Sequence, residues 1–366
     1  MGLLGLSGCG SPSSASVEMS SQTELVKTGS MELQYAENFA VDYYEDGYKM
    51  LTTLPDSKRY LLVPEGQPVP QGLDEDVSIL QEPFQNIYLV ASGAMDMFAS
   101  LDAVDQIRFS GQKQENWYIQ TAKDAMAAGD MIYAGKYSKP DYELLVSEGC
   151  DLAIENRMIT HSPEVVEMLQ SFDIPVMIEY SSYEKHPLGK VEWVKFFGAL
   201  TGKEAKAEEA FAEQTEILEE VESGEKTGKT IAFFYVTSNG LIQVRQSTDY
   251  IPKLIELAGG RYIFEDLEDS GSGTLNMQVE DFYAGAKDAD ILIYNSSIDG
   301  GVTTVDELIG KCNILKDFKA VQEGQVYCTT NDMYQQSMAI GYLLQDMHTV
   351  LTDDDTAKLR YLFLLQ

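Results

Sequence analysis

Apolar residues run almost unbroken through V-E-W-V-K-F-F-G-A-L, inside the longer stretch H-P-L-G-K-V-E-W-V-K-F-F-G-A-L-T-G from His186 to Gly202. Pro187 suits the first turn of a helix, where its missing N–H costs nothing, and Gly202 suits a left-handed helix end. Within Val191–Leu200, Glu192 and Lys195 are the clearly polar positions. A helix apolar nearly all round is buried on more than one side. It lies near the middle of the chain, between two halves that each alternate strand and helix patterns, and so reads as a rigid connector between two lobes. An ordinary core helix of one large domain satisfies the same periodicity.

Period-two alternation from Met31 to Leu54, with Glu45-Asp46-Gly47 inside it, predicts a hairpin that Lys58 to Val63 continues. Short apolar runs at Asn86–Ala91, Cys150–Ile154 and Ile174–Glu179 read as buried parallel strands, each leading through a loop into a helix. After Gly202, a helix is expected over Lys203–Val221, with its apolar stripe at Ala207, Phe211, Leu218 and Val221. Strands are then expected at Thr230–Val236, Ala289–Tyr294 and Val326–Thr329, and helices at Asp249–Ala258 and Val279–Ala286. The fold class is α/β: two lobes with mainly parallel central sheets, joined by a single long rigid helix, with a ligand cleft between the lobes. The expected divisions are a signal remnant and tether over 1–30, a first lobe over 31–186, the connector over 187–202 and a second lobe over 203–366.

Charge narrows the function. Among 366 residues, 26 Lys and Arg face 59 Asp and Glu, a formal charge of −33 that repels nucleic acid. Cations are scarce here and so more informative than acids. Ligands of open α/β sheets sit at the carboxyl ends of strands, where Arg157 and Arg245 fall, with Lys136 before a helix. Aromatic residues crowd the same regions: Trp117, Tyr118, Tyr137, Tyr180, Tyr235 and Tyr334. Ser92, His161, Ser181, Asn239, Asn295, Ser296 and Asn331 complete the candidate ligand-binding set. Aromatic walls with a few cations suit a flat or bulky anionic ligand; rim residues paired with nearby acids would give the same pattern.

Catalytic signatures are missing. The chain has no G-x-S-x-G, H-E-x-x-H or G-x-G-x-x-G, and Gly198–Lys203 departs from a phosphate-binding loop in spacing and in Glu204. Its three histidines are scattered, so neither a catalytic residue, a resident metal nor a cofactor is expected. Cys150 and Cys328 adjoin strand-like runs and read as packing. Cys9 ends L-S-G-C ahead of a Gly/Ser/Pro-rich tract and resembles the lipidation site of bacterial lipoproteins, although the charged start of a normal signal is absent.

Three stretches carry a wider resemblance: Y-S-K-P-D-Y-E-L-L-V-S-E-G-C-D-L-A-I (Tyr137–Ile154), H-P-L-G with W-V-K-F-F-G-A-L-T-G-K, and V-E-D-F-Y-A-G-A-K-D-A-D-I-L-I-Y-N (Val279–Asn295). From about Met31 onward the chain resembles the substrate-binding proteins of bacterial ABC importers for ferric siderophores, haem and cobalamin. The resemblance implies two α/β lobes joined by one long helix, little domain closure, and one acid per lobe that docks to permease arginines. The matching positions are Glu143 and Glu280. It further implies a monomer anchored through lipid on Cys9 to the outer face of the cell membrane, which captures a metal chelate and passes it to an ABC permease. Siderophore is the first expectation, haem or cobalamin the next. A surface enzyme of chelatase-like two-lobed fold and an adhesive lipoprotein are the rival readings.

Overall fold

A computed structural model describes residues 25–267, 273–352 and 356–366. Cys9 and the lipid anchor expected there lie outside the described residues. The end of the expected tether is folded: Lys27–Ser30 is an edge strand, antiparallel to Phe39–Tyr44. Its flanks are fixed by Met31 N donating to Val41 O at 2.8 Å and Glu45 N to Val26 O at 2.9 Å. A Ser/Thr-rich composition hides this strand, because edge pairing uses backbone groups and needs few apolar side chains.

The strand begins a five-stranded sheet that continues through Phe39–Tyr44, Lys49–Thr53, Lys58–Val63 and Val77–Gln81. Its first four strands are antiparallel and the last is parallel to its neighbour. This sheet is an added layer rather than part of the first α/β sheet. Phe39 sets its ring 4.9 Å from Trp193 and 5.3 Å from Phe196 of the connector.

The first α/β lobe holds a parallel sheet in the order Val176–Glu179, Leu152–Asn156, Ile87–Leu89, Ile107–Ser110, Ile132–Tyr133. Both faces are buried: Leu89, Ile154 and Met177 join the main core, while Tyr88, Phe109, Ala153 and Val176 form a second apolar cluster. That is why these strands appear as continuous apolar runs.

The connector is the helix Pro187–Thr201, and every residue from Pro187 to Leu200 is buried. His186 caps it, its Nδ1 accepting from Leu188 N at 3.2 Å, and Gly202 ends it at φ 69°. A β-carbon on Gly198 would stand 2.6 Å from that of Ala207. Glycine there lets the following helix, Glu204–Glu222, pack against the connector.

In the second lobe Thr230–Val236, Ile291–Tyr294 and Val326–Thr329 form a parallel centre. Antiparallel strands Ile242–Arg245, Thr274–Met277 and Leu362–Leu364 extend it on both sides. The molecule is thus α/β, with two mainly parallel sheets on either side of one buried helix.

Candidate ligand cleft

The carboxyl ends of both parallel sheets lead into short turns. In the first lobe Leu152–Asn156 runs into the 3-10 turn Arg157–His161, and Val176–Glu179 into Ser181–Tyr183. In the second, Ile291–Tyr294 runs into Ser296–Ile298, and Val326–Thr329 into the segment leading to Ser337–Ala339. That last segment crosses to the first lobe. Gln335 Nε2 donates to Asn116 O at 2.8 Å, while its Oε1 accepts from Tyr118 N at 2.8 Å. Asp96 Oδ2 accepts from Met338 N at 2.7 Å. Burial pushes the Asp96 carboxyl up to about 6, opposed by the Met338 bond and the Lys190 charge.

Arg245, Asn295 and Tyr334 are brought into direct contact. The Arg245 guanidinium donates to the Tyr334 hydroxyl and to Asp249 Oδ2, the latter at 3.2 Å. Its Cζ lies 5.5 Å from the centre of the Tyr334 ring. Asn295 Nδ2 donates to the same hydroxyl at 2.7 Å, and Asn295 Oδ1 is buried without a partner. Burial, opposed by Arg245, pushes the Tyr334 hydroxyl up to about 12, so it stays protonated at neutral pH. Asp249 also caps its helix, its Oδ1 accepting from Ile251 N at 2.9 Å. One carboxylate therefore starts the helix Tyr250–Leu257 and positions the arginine.

A second group gathers on the first lobe. Arg157 is exposed, with its guanidinium 4.6 Å from the Tyr183 ring centre. His161 is exposed at the end of the same turn, and Ser181 is buried with its hydroxyl unpartnered. Tyr118 is exposed with Lys123 Nζ 5.8 Å from its ring. Ser92 is half-buried beside the first helix. Lys136 is exposed on the short hairpin formed by Gly135–Lys136 and Lys139–Pro140, and Tyr137 is half-buried against the second apolar cluster. In the second lobe Tyr235 is half-buried, and Asn239 and Asn331 are exposed in turns.

Three expected contacts are corrected. Trp117 is 1% exposed and its indole donates to Ser110 Oγ at 3.0 Å, so it is a core residue of the first lobe. Tyr180 is 5% exposed, its ring 6.4 Å from that of Tyr183 and its hydroxyl beside Asp56, in the turn between two strands of the N-terminal sheet, so it is packed rather than open. Ser296 is buried, its N–H donating to Thr329 Oγ1 at 3.0 Å and its hydroxyl to Thr329 O, so both its groups hold adjacent strands together.

Lys190, Glu179, Asp96 and Gln335 escape sequence reading. Lys190 lies in an apolar run, and the residues around its charge come from remote parts of the chain. Glu143 and Glu280 are exposed in the first turns of Tyr142–Ser147 and Val279–Ala286. Among the described residues no group of three or more His, Cys, Asp or Glu could hold a metal ion. A separate hollow of about 790 Å³, lined by Phe84, Gln106 and Arg108 among others, opens at the amino ends of the first-lobe strands, away from the cleft.

The chain is similar to an uncharacterized lipoprotein of Methanocaldococcus jannaschii, 24% identical over 349 residues, covering 87% of this chain and 81% of that protein. Its fold is similar to a possible iron-binding (periplasmic solute-binding) protein of Staphylococcus epidermidis, with TM-score 0.58, 17% identity, and 74% and 99% of the two chains covered. It is similar also to the periplasmic haem-binding protein HutB of Vibrio cholerae, with TM-score 0.58, 14% identity, and 72% and 98% covered. The family model for periplasmic binding proteins matches residues 91–333, which contain the connector, Arg157, Arg245 and Asn295 and end one residue before Tyr334. The chain therefore belongs to the periplasmic binding protein family.

Proposed function

We propose that this chain is an extracytoplasmic receptor that captures a metal chelate in the cleft and delivers it to an ABC permease. A ferric siderophore is the first choice, haem or cobalamin the next. The carrying observation is the polar group of Arg245, Tyr334 and Asn295 beyond the second-lobe strand ends, with the Arg157–Tyr183 pair at the strand ends of the first lobe. Donors of this kind grip the periphery of a chelate and leave its metal–ligand bonds intact. The iron-binding and haem-binding descriptions of proteins with the same fold support the choice. Glu143 and Glu280 would dock the permease, one on each lobe, and Cys9 would carry the lipid that keeps the receptor at the outer face of the membrane. The lipoprotein description of the methanogen relative supports that anchor. The receptor acts as a monomer with its expected lobes at 31–186 and 203–366, the N-terminal sheet bracing the connector from outside.

A thermal-shift screen of the full chain against a ferric tris-catecholate, a ferric trihydroxamate, haem and cobalamin tests the reading. A ligand at one hundred times its Kd stabilises by ~2.7 kcal/mol, a clear rise in Tm. A rise with one class identifies the cargo. A folded protein unmoved by every probe would contradict the reading.

A further inference from the structure

The connector helix carries a cation in its buried run. Lys190 is 3% exposed, with its ammonium 4.8 Å from the centre of the Tyr250 ring. Among the described residues its ammonium makes no hydrogen bond and no ion pair. Its charge is surrounded rather than paired. Glu179 faces it from the end of the strand Val176–Glu179, Asp249 and Tyr250 from a helix start, Arg245 and Tyr334 from the cleft floor, and Asp96 from the first-lobe helix Ala94–Ser100.

A buried ammonium without an acceptor is unfavourable, and burial lowers the Lys190 pKa. Arg245 beside it is already committed to Asp249 and Tyr334. The floor therefore holds two cations, of which one has its acceptors and the other has none. Nearby, Asn295 Oδ1 and Ser181 Oγ are also buried without partners. Asn295 is tied to Tyr334, and Ser181 N donates to Glu179 Oε2 at 2.8 Å, so both residues belong to this network.

Resting on the chelate-receptor reading, we propose that Lys190 and Arg245 form a charge-reading floor that selects chelates presenting surplus negative oxygen, as carboxylate or catecholate, over uncharged ones. An anionic arm brought against Tyr334 and Arg245 supplies the counter-charge that Lys190 lacks. The ion pair forms without any covalent bond of the chelate being broken. Lys190 acts as a positioning residue for charge, beneath the groups that touch the ligand.

The test is titration calorimetry of the full chain with a ferric tris-catecholate and with a ferric trihydroxamate lacking negative charge. The catecholate should bind more tightly. Lys190→Met should weaken the catecholate by about thirtyfold or more and leave the hydroxamate unchanged. Lys190→Arg should keep the affinity, because a guanidinium is always charged. The arginine variant carries the test if the methionine variant does not fold. Catecholate affinity untouched in Lys190→Met, or lost in a folded Lys190→Arg, would overturn the charge floor alone. Binding of neither chelate would overturn the floor, and failure of haem and cobalamin as well would overturn the receptor reading with it.

Discussion

Glu192, fully buried in the connector helix, accepts the backbone N–H of Tyr35 at 2.8 Å through Oε2. The same carboxylate accepts Gln34 N at 2.9 Å and Ala36 N at 2.8 Å. Nearby, Glu184 accepts Glu37 N, Asn38 N and the Trp193 indole. Two buried acids thus hold the segment that enters the N-terminal sheet, and through it that sheet, against the connector. Glu192→Ala leaves three backbone donors without their acceptor and the buried Lys195 ammonium with Glu208 alone. Chemical denaturation should show a loss of about 3–5 kcal/mol.

Glu155 is fully buried and both its oxygens lack partners. Burial pushes its carboxyl up to about 8, from an ordinary value of 4.5. The native state then holds this proton more tightly than the unfolded chain does. Glu155 stabilises most below the unfolded value, and that contribution is lost as pH rises through about 8, by about 4–5 kcal/mol at the extreme. Glu155→Gln should match the unchanged protein near pH 4 and exceed it at pH 9. Equal pH profiles in denaturant would contradict this.

The connector was legible because its signals are local: a proline start, a glycine end and an apolar run. The central strands were legible because burial on both faces makes them continuous. Lys190 was not, since the groups around its charge, Arg245 and Tyr334 among them, lie far along the chain. Trp117 misled for the converse reason. An aromatic near lysines resembles a cleft wall, and only the Ser110 bond reveals a core indole. Arg245, Asn295 and Tyr334 were singled out because each follows or closes a strand at its carboxyl end, and the structure brings them into contact. The separate N-terminal sheet was hidden, because alternation identifies strands without saying which sheet they join.

The contacts between the lobes should be felt in local dynamics. Asp96→Ala removes the acceptor of Met338 N, and Gln335→Ala frees Tyr118 N and Asn116 O. Hydrogen exchange at Met338 and Tyr118 should accelerate in the respective variants, with a global cost of about 1–2 kcal/mol. Unchanged exchange would show that the lobes are held by the connector alone.

Reversing the charge of Glu143 and Glu280 separates capture from delivery. Both are exposed, so Glu143→Arg with Glu280→Arg should change stability by less than about 1 kcal/mol. Chelate affinity should be retained while permease-dependent uptake in cells is lost. Normal uptake would remove the docking role.

The central claim is that the cleft binds a chelate, and calorimetric titration of the full chain with the four probes measures it most directly. The account predicts saturable binding of one probe class, with one molecule per chain. Binding should be lost in an Arg157→Ala, Tyr334→Ala double variant that still melts cooperatively. Failure of all four probes to bind the folded chain, or equal binding by the double variant, would contradict it.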